Sequence, residues 1–187
     1  MKNSKLEPEI SIDDGVKIFR CQSVSTVYRV QFDVNIANSY KYAELINLIK
    51  IASSSDRFEF VLQNFGGSCH SCIGLVNIMK ESRADITCEI IGPCYSAGST
   101  IALAGNGIKW HPDALLMFHN FSSVEFGKAN EIEISLKANK KWIHSYMKRI
   151  HMPFLTEKEC DELIKGKDIY VYTNDRDFKK RCERHFK

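Results

Sequence analysis

GPCYSAGSTIALAG, residues 92–105, sets one serine at a junction of small residues. Gly92 and Pro93 close an apolar run, and Ser96 is followed at once by Ala97 and Gly98. An apolar stretch suited to a buried helix comes next. Serine is among the preferred N-cap residues, so a helix cap alone would explain Ser96. The alternative is a nucleophile held at the mouth of that helix, and the rest of the chain decides between them.

Outward from this junction, short apolar strands alternate with helical patterns. Tyr28, Val30, Phe32 and Val34 alternate with polar neighbours, which predicts a half-buried strand. Residues 40–52 carry Tyr42, Ile46 and Ile49 on one helical face. Residues 59–63 (EFVLQ) read as a strand ending at Asn64-Phe65-Gly66-Gly67, and Cys72, Val76 and Met79 mark the helix after it. Residues 86–91 predict the next strand, stopped by Gly92-Pro93, and the serine helix follows. Residues 114–119 (ALLMFH) read as a buried strand with His119 at its exit.

From about residue 128 to 150, Ile132, Leu136, Ile143, Met147 and Ile150 recur at helical spacing among many Lys and Glu residues. This predicts an amphipathic helix reaching beyond a small core, although its EIEIS opening also alternates like a strand. Thr156 with Glu159 three residues on forms a capping box for a short helix through Leu163, ended by Gly166. Asp168-Ile169-Tyr170-Val171 then begins something buried. The alternation argues for an α/β fold of repeated strand–helix units with parallel strands. Ligands in such folds gather where strands end and helices begin. Gly66-Gly67 and Ser96 both sit at such points.

The bulk composition narrows the function. At 187 residues the chain is about one domain, and 44% hydrophobic with 26% charged residues suits a globular core in water. A net charge of +3 is too small to argue for nucleic acid or a membrane surface as the main partner. No apolar run approaches the ~18–20 residues of a membrane span. The opening MKNSKLEPEISIDDG has no apolar signal core, so a cytoplasmic location is expected. Residues 1–20, polar and charge-mixed, read as a flexible N-terminal arm ahead of a single domain at 21–187.

Seven cysteines, an odd number without a secretion signal, are expected to be reduced thiols. Cys69 and Cys72 enclose His70-Ser71 in a C-x-x-C pattern. A zinc site takes about four ligands, and no second C-x-x-C or H-x₃-H answers this one. Small buried thiols on a helix face are therefore expected rather than a metal or redox centre. In the C-terminal NDRDFKKRCERHFK, acidic residues interleave the basic ones, which predicts a solvated helix face.

Hydrolysis by a serine needs a base to take its proton, a carboxylate to hold that base, and N–H donors for the oxyanion. Ser96 at a helix N-terminus has free amides nearby, and Ala97-Gly98 leaves room for a substrate. The stretch is not the G-x-S-x-G elbow, because Cys94 occupies the first glycine position. Gly66-Gly67 after a strand can turn sharply and point amides outward, although Gly-Gly is also a plain turn. Of six histidines, His111, His144, His151 and His185 stand in polar or helical surroundings and read as solvated. His119 differs, ending an apolar strand beside a loop; taken alone it also reads as a satisfied core histidine, and Asp168 as a turn residue.

Together these stretches resemble the proteolytic subunit of the Clp proteases, self-compartmentalised serine peptidases of the ClpP/crotonase-like fold. Family members carry Ser-Pro-Gly-Gly after a strand, a Gly-x-Ala-Ala-Ser-x-Gly-like nucleophile stretch and a strand ending Met-Ile-His-Gln. A long helix introduced by something like Ala-Thr-Asp-Ile-Glu-Ile follows, and an Asp precedes a bulky apolar run. This chain reads NFGG at 64–67, GPCYSAG at 92–98, MFHN at 117–120, KANEIEI at 128–134 and KDIYV at 167–171. Order and spacing fit from about residue 20 onward.

The resemblance implies Ser96 as nucleophile, His119 as general base and Asp168 as the residue orienting it. It implies the backbone N–H groups of Gly67 and Ala97 as oxyanion donors, with no cofactor and no metal. Substrate peptides would bind as an added strand beside the segment after Gly67. It further implies a homo-oligomer of stacked heptameric rings, joined through the long helix at about 128–150 and protruding for that purpose, with an AAA+ ATPase unfoldase as partner.

The chain departs from the family at several points. Phe65 replaces the family's Pro, Tyr95 stands where a small residue usually precedes the serine, and Cys69-His70-Ser71-Cys72 is unlike the family. The stretch between Gly105 and Pro112 reads as a slightly short loop, and the N-terminal arm lacks the apolar pattern that engages an ATPase. A viral head-maturation peptidase acting on scaffold or capsid protein is a close variant on the same fold. A crotonase-like acyl-CoA enzyme would not need Ser96, His119 and Asp168 together. A catalytically silent ring subunit would usually have lost one of the three, and none is missing.

Overall fold

The computed structural model describes residues 10–12, 16–18 and 25–187. Most of the N-terminal arm expected at 1–20 lies outside the described residues. Within it the backbone of β1 (Ile10–Ile12) pairs antiparallel with β2 (Val16–Ile18).

Burial of every second residue makes the central strands. β3 (Val27–Phe32) lies parallel to β4 (Arg57–Asn64), which buries Phe58, Phe60, Leu62 and Asn64 in strict alternation. β5 (Asp85–Tyr95) runs parallel to β4 and buries Ile86, Cys88 and Ile90 on the same face. The opposite face is polar: Arg29 on β3 makes an exposed 2.8 Å bond to Glu59 on β4. A parallel sheet covered on both faces would read as continuous apolar runs, so the alternation records a sheet packed on one face.

β5 corrects one expectation. The strand does not stop at Gly92-Pro93 but continues to Tyr95 and changes partners there. Thr87 to Ile90 pair with β6 (Gly107–Trp110), and Pro93 to Tyr95 pair with β7 (Leu115–Phe118), both parallel. The missing N–H of proline falls at the changeover, where a sheet tolerates it. β6 is a second correction, a strand where a loop between Gly105 and Pro112 was expected. It is too short to display a period. Val34 is a third: β3 ends at Phe32, and Val34 is exposed beyond it. β8 (Ile169–Tyr172) pairs antiparallel with β7, giving the order β3-β4-β5-β7-β8 with β6 also on β5.

The connecting helices are α1 (Ala43–Ile51), α2 (Cys69–Glu81) and α3 (Ala97–Ala102). The strand-like EIEIS opens α4 (Ala129–His151), which is helical throughout. Its fully buried residues, Ile143, Tyr146, Met147, Ile150 and His151, all lie in its C-terminal part, while Ile134 is exposed. α5 (Glu157–Ile164) has the expected capping box, with Glu159 N–H donating to Thr156 Oγ1 and Thr156 N–H to Glu159 Oε2.

The Glu159 carboxylate also anchors α6 (Phe178–His185). Arg181 grips it through both guanidinium nitrogens, at 2.9 and 2.8 Å. Burial alone would raise the Glu159 carboxyl, but the bonds from Arg181 and Thr156 outweigh it and hold the pKa down to about 2. A carboxyl depressed on folding contributes stability that is present above its unfolded pKa, about 4.3, and is lost as pH falls. Unfolding free energy is therefore expected to drop as pH falls from that value through about 2. Glu159→Gln should flatten that part of the profile in denaturant titrations across the acid range.

Candidate active site

The turn after β4 is built around one buried side chain. Asn64 Oδ1 accepts the N–H of Gly66 at 2.8 Å, an Asx-type turn, while its amide nitrogen donates to the Val34 carbonyl. Ile36 then binds both sides of the turn: its N–H donates to Gly66 O and its carbonyl accepts from Ser68 N–H, each at 2.8 Å. Gly66 and Gly67 both hold positive φ, +95° and +138°. A Cβ on Gly67 would lie 2.3 Å from the Ile36 carbonyl oxygen, so only glycine fits. The C=O and N–H of a trans peptide point in opposite directions. Tying Gly66 O to Ile36 therefore turns the Gly67 N–H away from the sheet.

The second turn carries the serine. Ser96 has φ 56° and ψ −124°, and it is the positive-φ non-glycine residue among those described. Such a backbone costs about 1–3 kcal/mol and persists only where surroundings over-determine it. Here they do. Ser96 N–H donates to Met117 O on β7 at 2.8 Å. The buried Ser99 hydroxyl sits 2.5 Å from Cys94 O and 2.8 Å from Met117 O, and accepts the Met117 N–H at 3.1 Å. The two turns touch, since a Cβ on Gly66 would approach Ser96 Cβ to 2.8 Å. Gly98 lies so close to Asn64 that a Cβ there would meet its carbonyl oxygen at 2.5 Å.

Both turns open on one cavity of about 540 Å³, lined by Gly67, Ser96, Ala97 and His119 among others. Gly67 and Ala97 present N–H groups that have no backbone acceptor among the described residues. His119 follows directly on β7, half-buried at the cavity wall. Asp168 lies outside the cavity lining and is exposed. The antiparallel register ends with Phe118 opposite Ile169, so His119 leaves β7 at the end where Asp168 enters β8. Among the described residues no hydrogen bond joins Ser96, His119 and Asp168 to one another. The structure thus gathers Ser96, His119, Gly67 and Ala97 around one space and leaves Asp168 outside it, directly before β8. A hydroxyl, an imidazole and two outward amides around one cavity can carry out acyl transfer.

The remaining wall carries the thiols Cys69 and Cys72 and the rings of Phe118, Phe121 and Tyr146, with Thr100 and His151 deeper in. Cys72 is buried and donates through sulfur to Ala97 O at 3.5 Å; Cys69 is half-buried beside it. Burial pushes both thiols up, so neither supplies a competing thiolate at neutral pH. Phe65 and Tyr95, the bulky departures noted in the sequence, pack on each other edge-to-face at 5.5 Å just outside the cavity.

The other histidines correct the reading that they are all solvated. His151 is buried, with Nε2 3.0 Å from Thr100 Oγ1 and its ring against Phe118. His185 is half-buried and its Nε2 lies 2.8 Å from Leu103 O. His144 is half-buried, its Nε2 without a partner and its pKa lowered by burial. Sequence reasoning also missed Asn64 as the organiser of its turn. The signal was present, an Asn that ends a strand directly before Phe-Gly-Gly.

A family model described as Clp protease matches residues 17–174 of the chain. No curated protein matches it. The close approach of Gly98 to Asn64 gives a stability prediction. Gly98→Ala should cost about 1–3 kcal/mol through overpacking. Gly74→Ala, in α2 with nothing within 4 Å of the added carbon, should be neutral or stabilising. Urea unfolding of the two variants checks both signs.

Proposed function

Since the chain belongs to the Clp protease family, we propose that it is a serine peptidase acting through Ser96, His119 and Asp168. The observation that carries this reading is the positive-φ turn that holds Ser96 beside His119 in a cavity onto which two amides open. Ser96 Oγ attacks the scissile carbonyl, and His119 takes the proton and later gives it to the leaving amine. Asp168, which enters β8 at the end of the pairing where His119 leaves β7, holds the imidazole in the required tautomer. The N–H groups of Gly67 and Ala97 receive the oxyanion. Catalytic hydrogen bonds are commonly long in unliganded enzymes and tighten once substrate is bound, so the open triad is compatible with this role.

The substrate class follows from the same surfaces. Peptides bind as an extended strand beside Gly67 and Ser68; the extended stretch is short because α2 begins at Cys69. Main-chain recognition of this kind tolerates many sequences, so the substrates are unfolded or delivered protein chains. The sites are enclosed by stacked rings joined through α4, whose N-terminal part is largely exposed in the single chain.

Two measurements test this. A fluorophosphonate probe should label the wild-type protein and not Ser96→Ala, and His119→Ala should lose most labelling and peptide hydrolysis, by a factor of about 10³ or more. Absence of labelling in an assembled sample would overturn the peptidase reading. Sizing in solution should give a particle many times the 21.4 kDa of one chain, and a monomer would contradict the ring.

A further inference from the structure

The wall of the same cavity holds a buried histidine that the triad does not use, His151, beside Thr100. His151 ends α4, is only 3% exposed, and lies with its ring 5.0 Å from that of Phe118. Its Nε2 is 3.0 Å from Thr100 Oγ1. Thr100 lies one helical turn beyond Ser96 and reaches back to it twice. Its N–H donates to Ser96 O at 3.2 Å and its hydroxyl donates to the same oxygen at 3.3 Å. A threonine hydroxyl has one proton. With that proton directed at Ser96 O, the hydroxyl oxygen can only accept from the histidine. In that arrangement His151 carries its proton on Nε2 and the unpartnered Nδ1 is a lone pair; the opposite arrangement, with Thr100 donating to Nε2, would bury an Nδ1–H without an acceptor. Burial, with His185 nearby, holds its pKa down to about 3, so the ring is neutral at working pH.

The oxygen this chain of donors holds is the far end of the peptide that bears the Ala97 N–H. The carbonyl and N–H of one trans peptide are rigidly opposed. Fixing Ser96 O on Thr100 therefore fixes the direction in which Ala97 N–H points into the cavity. The same device operates across the site, where Ile36 N–H holds Gly66 O and so aims Gly67 N–H. The serine side is the more demanding of the two, because it must hold a non-glycine residue at φ 56°.

We propose that Thr100 and His151 are positioning residues for the oxyanion donor of Ala97, acting as a relay from His151 Nε2–H through the Thr100 hydroxyl to Ser96 O. This rests on the serine-peptidase reading of Ser96. The oxyanion forms in the tetrahedral intermediates of acylation and deacylation and not in the bound substrate, so loss of the relay lowers kcat and leaves KM nearly unchanged.

The test uses the assembled protein, a fluorogenic peptide and the fluorophosphonate probe. Thr100→Val keeps the backbone bond and removes the hydroxyl; His151→Phe keeps an aromatic ring beside Phe118 and removes the donor. Each is expected to lower kcat and the labelling rate by about tenfold, with KM within about twofold. The double variant should lose little more than either single one, since both break one relay. Thr100→Ser should restore most of the rate. In ¹⁵N spectra His151 should be the Nε2–H tautomer and take up a proton only as pH approaches about 3.

Wild-type rates in Thr100→Val, losses that appear in KM, losses that add in the double variant, or an Nδ1–H tautomer would each overturn the relay. Losses that merely follow a lowered urea midpoint would overturn it as well. Failure of the parent reading has a different signature, a wild-type protein that the probe does not label.

Discussion

Asn64 joins three stretches of chain, two through its carboxamide and one through its backbone carbonyl. The carboxamide nitrogen donates to the Val34 carbonyl beyond β3, the carboxamide oxygen takes the Gly66 N–H, and the backbone carbonyl is the surface against which Gly98 packs. The side chain is fully buried, so an unmet bond there would cost on the order of 1–3 kcal/mol. Both turns of the candidate site are referenced to it. The Gly66-Gly67 turn takes its shape from Oδ1, and the first turn of α3 takes its distance from the carbonyl. The contact of Gly66 with Ser96 is possible only because both turns are seated on one residue.

From that seat, the site is made more by backbone than by side chains. Two peptide planes are fixed by their carbonyls, one on Ile36 and one on Thr100, and each leaves an N–H without a backbone acceptor, on residues that line the cavity. This explains the glycines and small residues around it, because a peptide plane can be aimed closely only where no Cβ intrudes. The same logic places the thiols. Cys72 is small enough to let α2 approach α3 and still offers a weak donor to Ala97 O. The strain at Ser96 is then the local cost of exposing a hydroxyl where helix and strand would otherwise bury it.

Much of this was legible in the sequence, and what was not has physical causes. Phe58, Phe60 and Leu62 alternate because one face of the sheet is buried, and that periodicity is a local property of the chain. Ser96 and His119 could be found because each ends an apolar run beside small or polar residues. The path of β5 through Gly92-Pro93 could not, because it depends on which neighbour the strand has at that point. That Asp168 enters β8 beside the exit of β7 at His119 is likewise a matter of the pairing between those strands. The hidden residues are those whose role is set by distant partners. Thr100 and His151 are 51 positions apart, and although Ile150, Met152 and Phe154 beside His151 point to burial, nothing there names its partner.

The partner change of β5 divides the sheet into two branches, and this bears on how strain is carried. β6 leads to Trp110, which packs on Phe178 of α6, whereas β7 leads to His119. Thr173 closes the β6 branch again, its hydroxyl within 2.6–3.0 Å of the carbonyls of His111, Pro112 and Ala114. Strain in the β6 branch is thus taken up at these fastenings before the chain re-enters the sheet at Leu115. The fork works as an expansion joint, separating the β6 arm from the alignment of β7 with the serine turn.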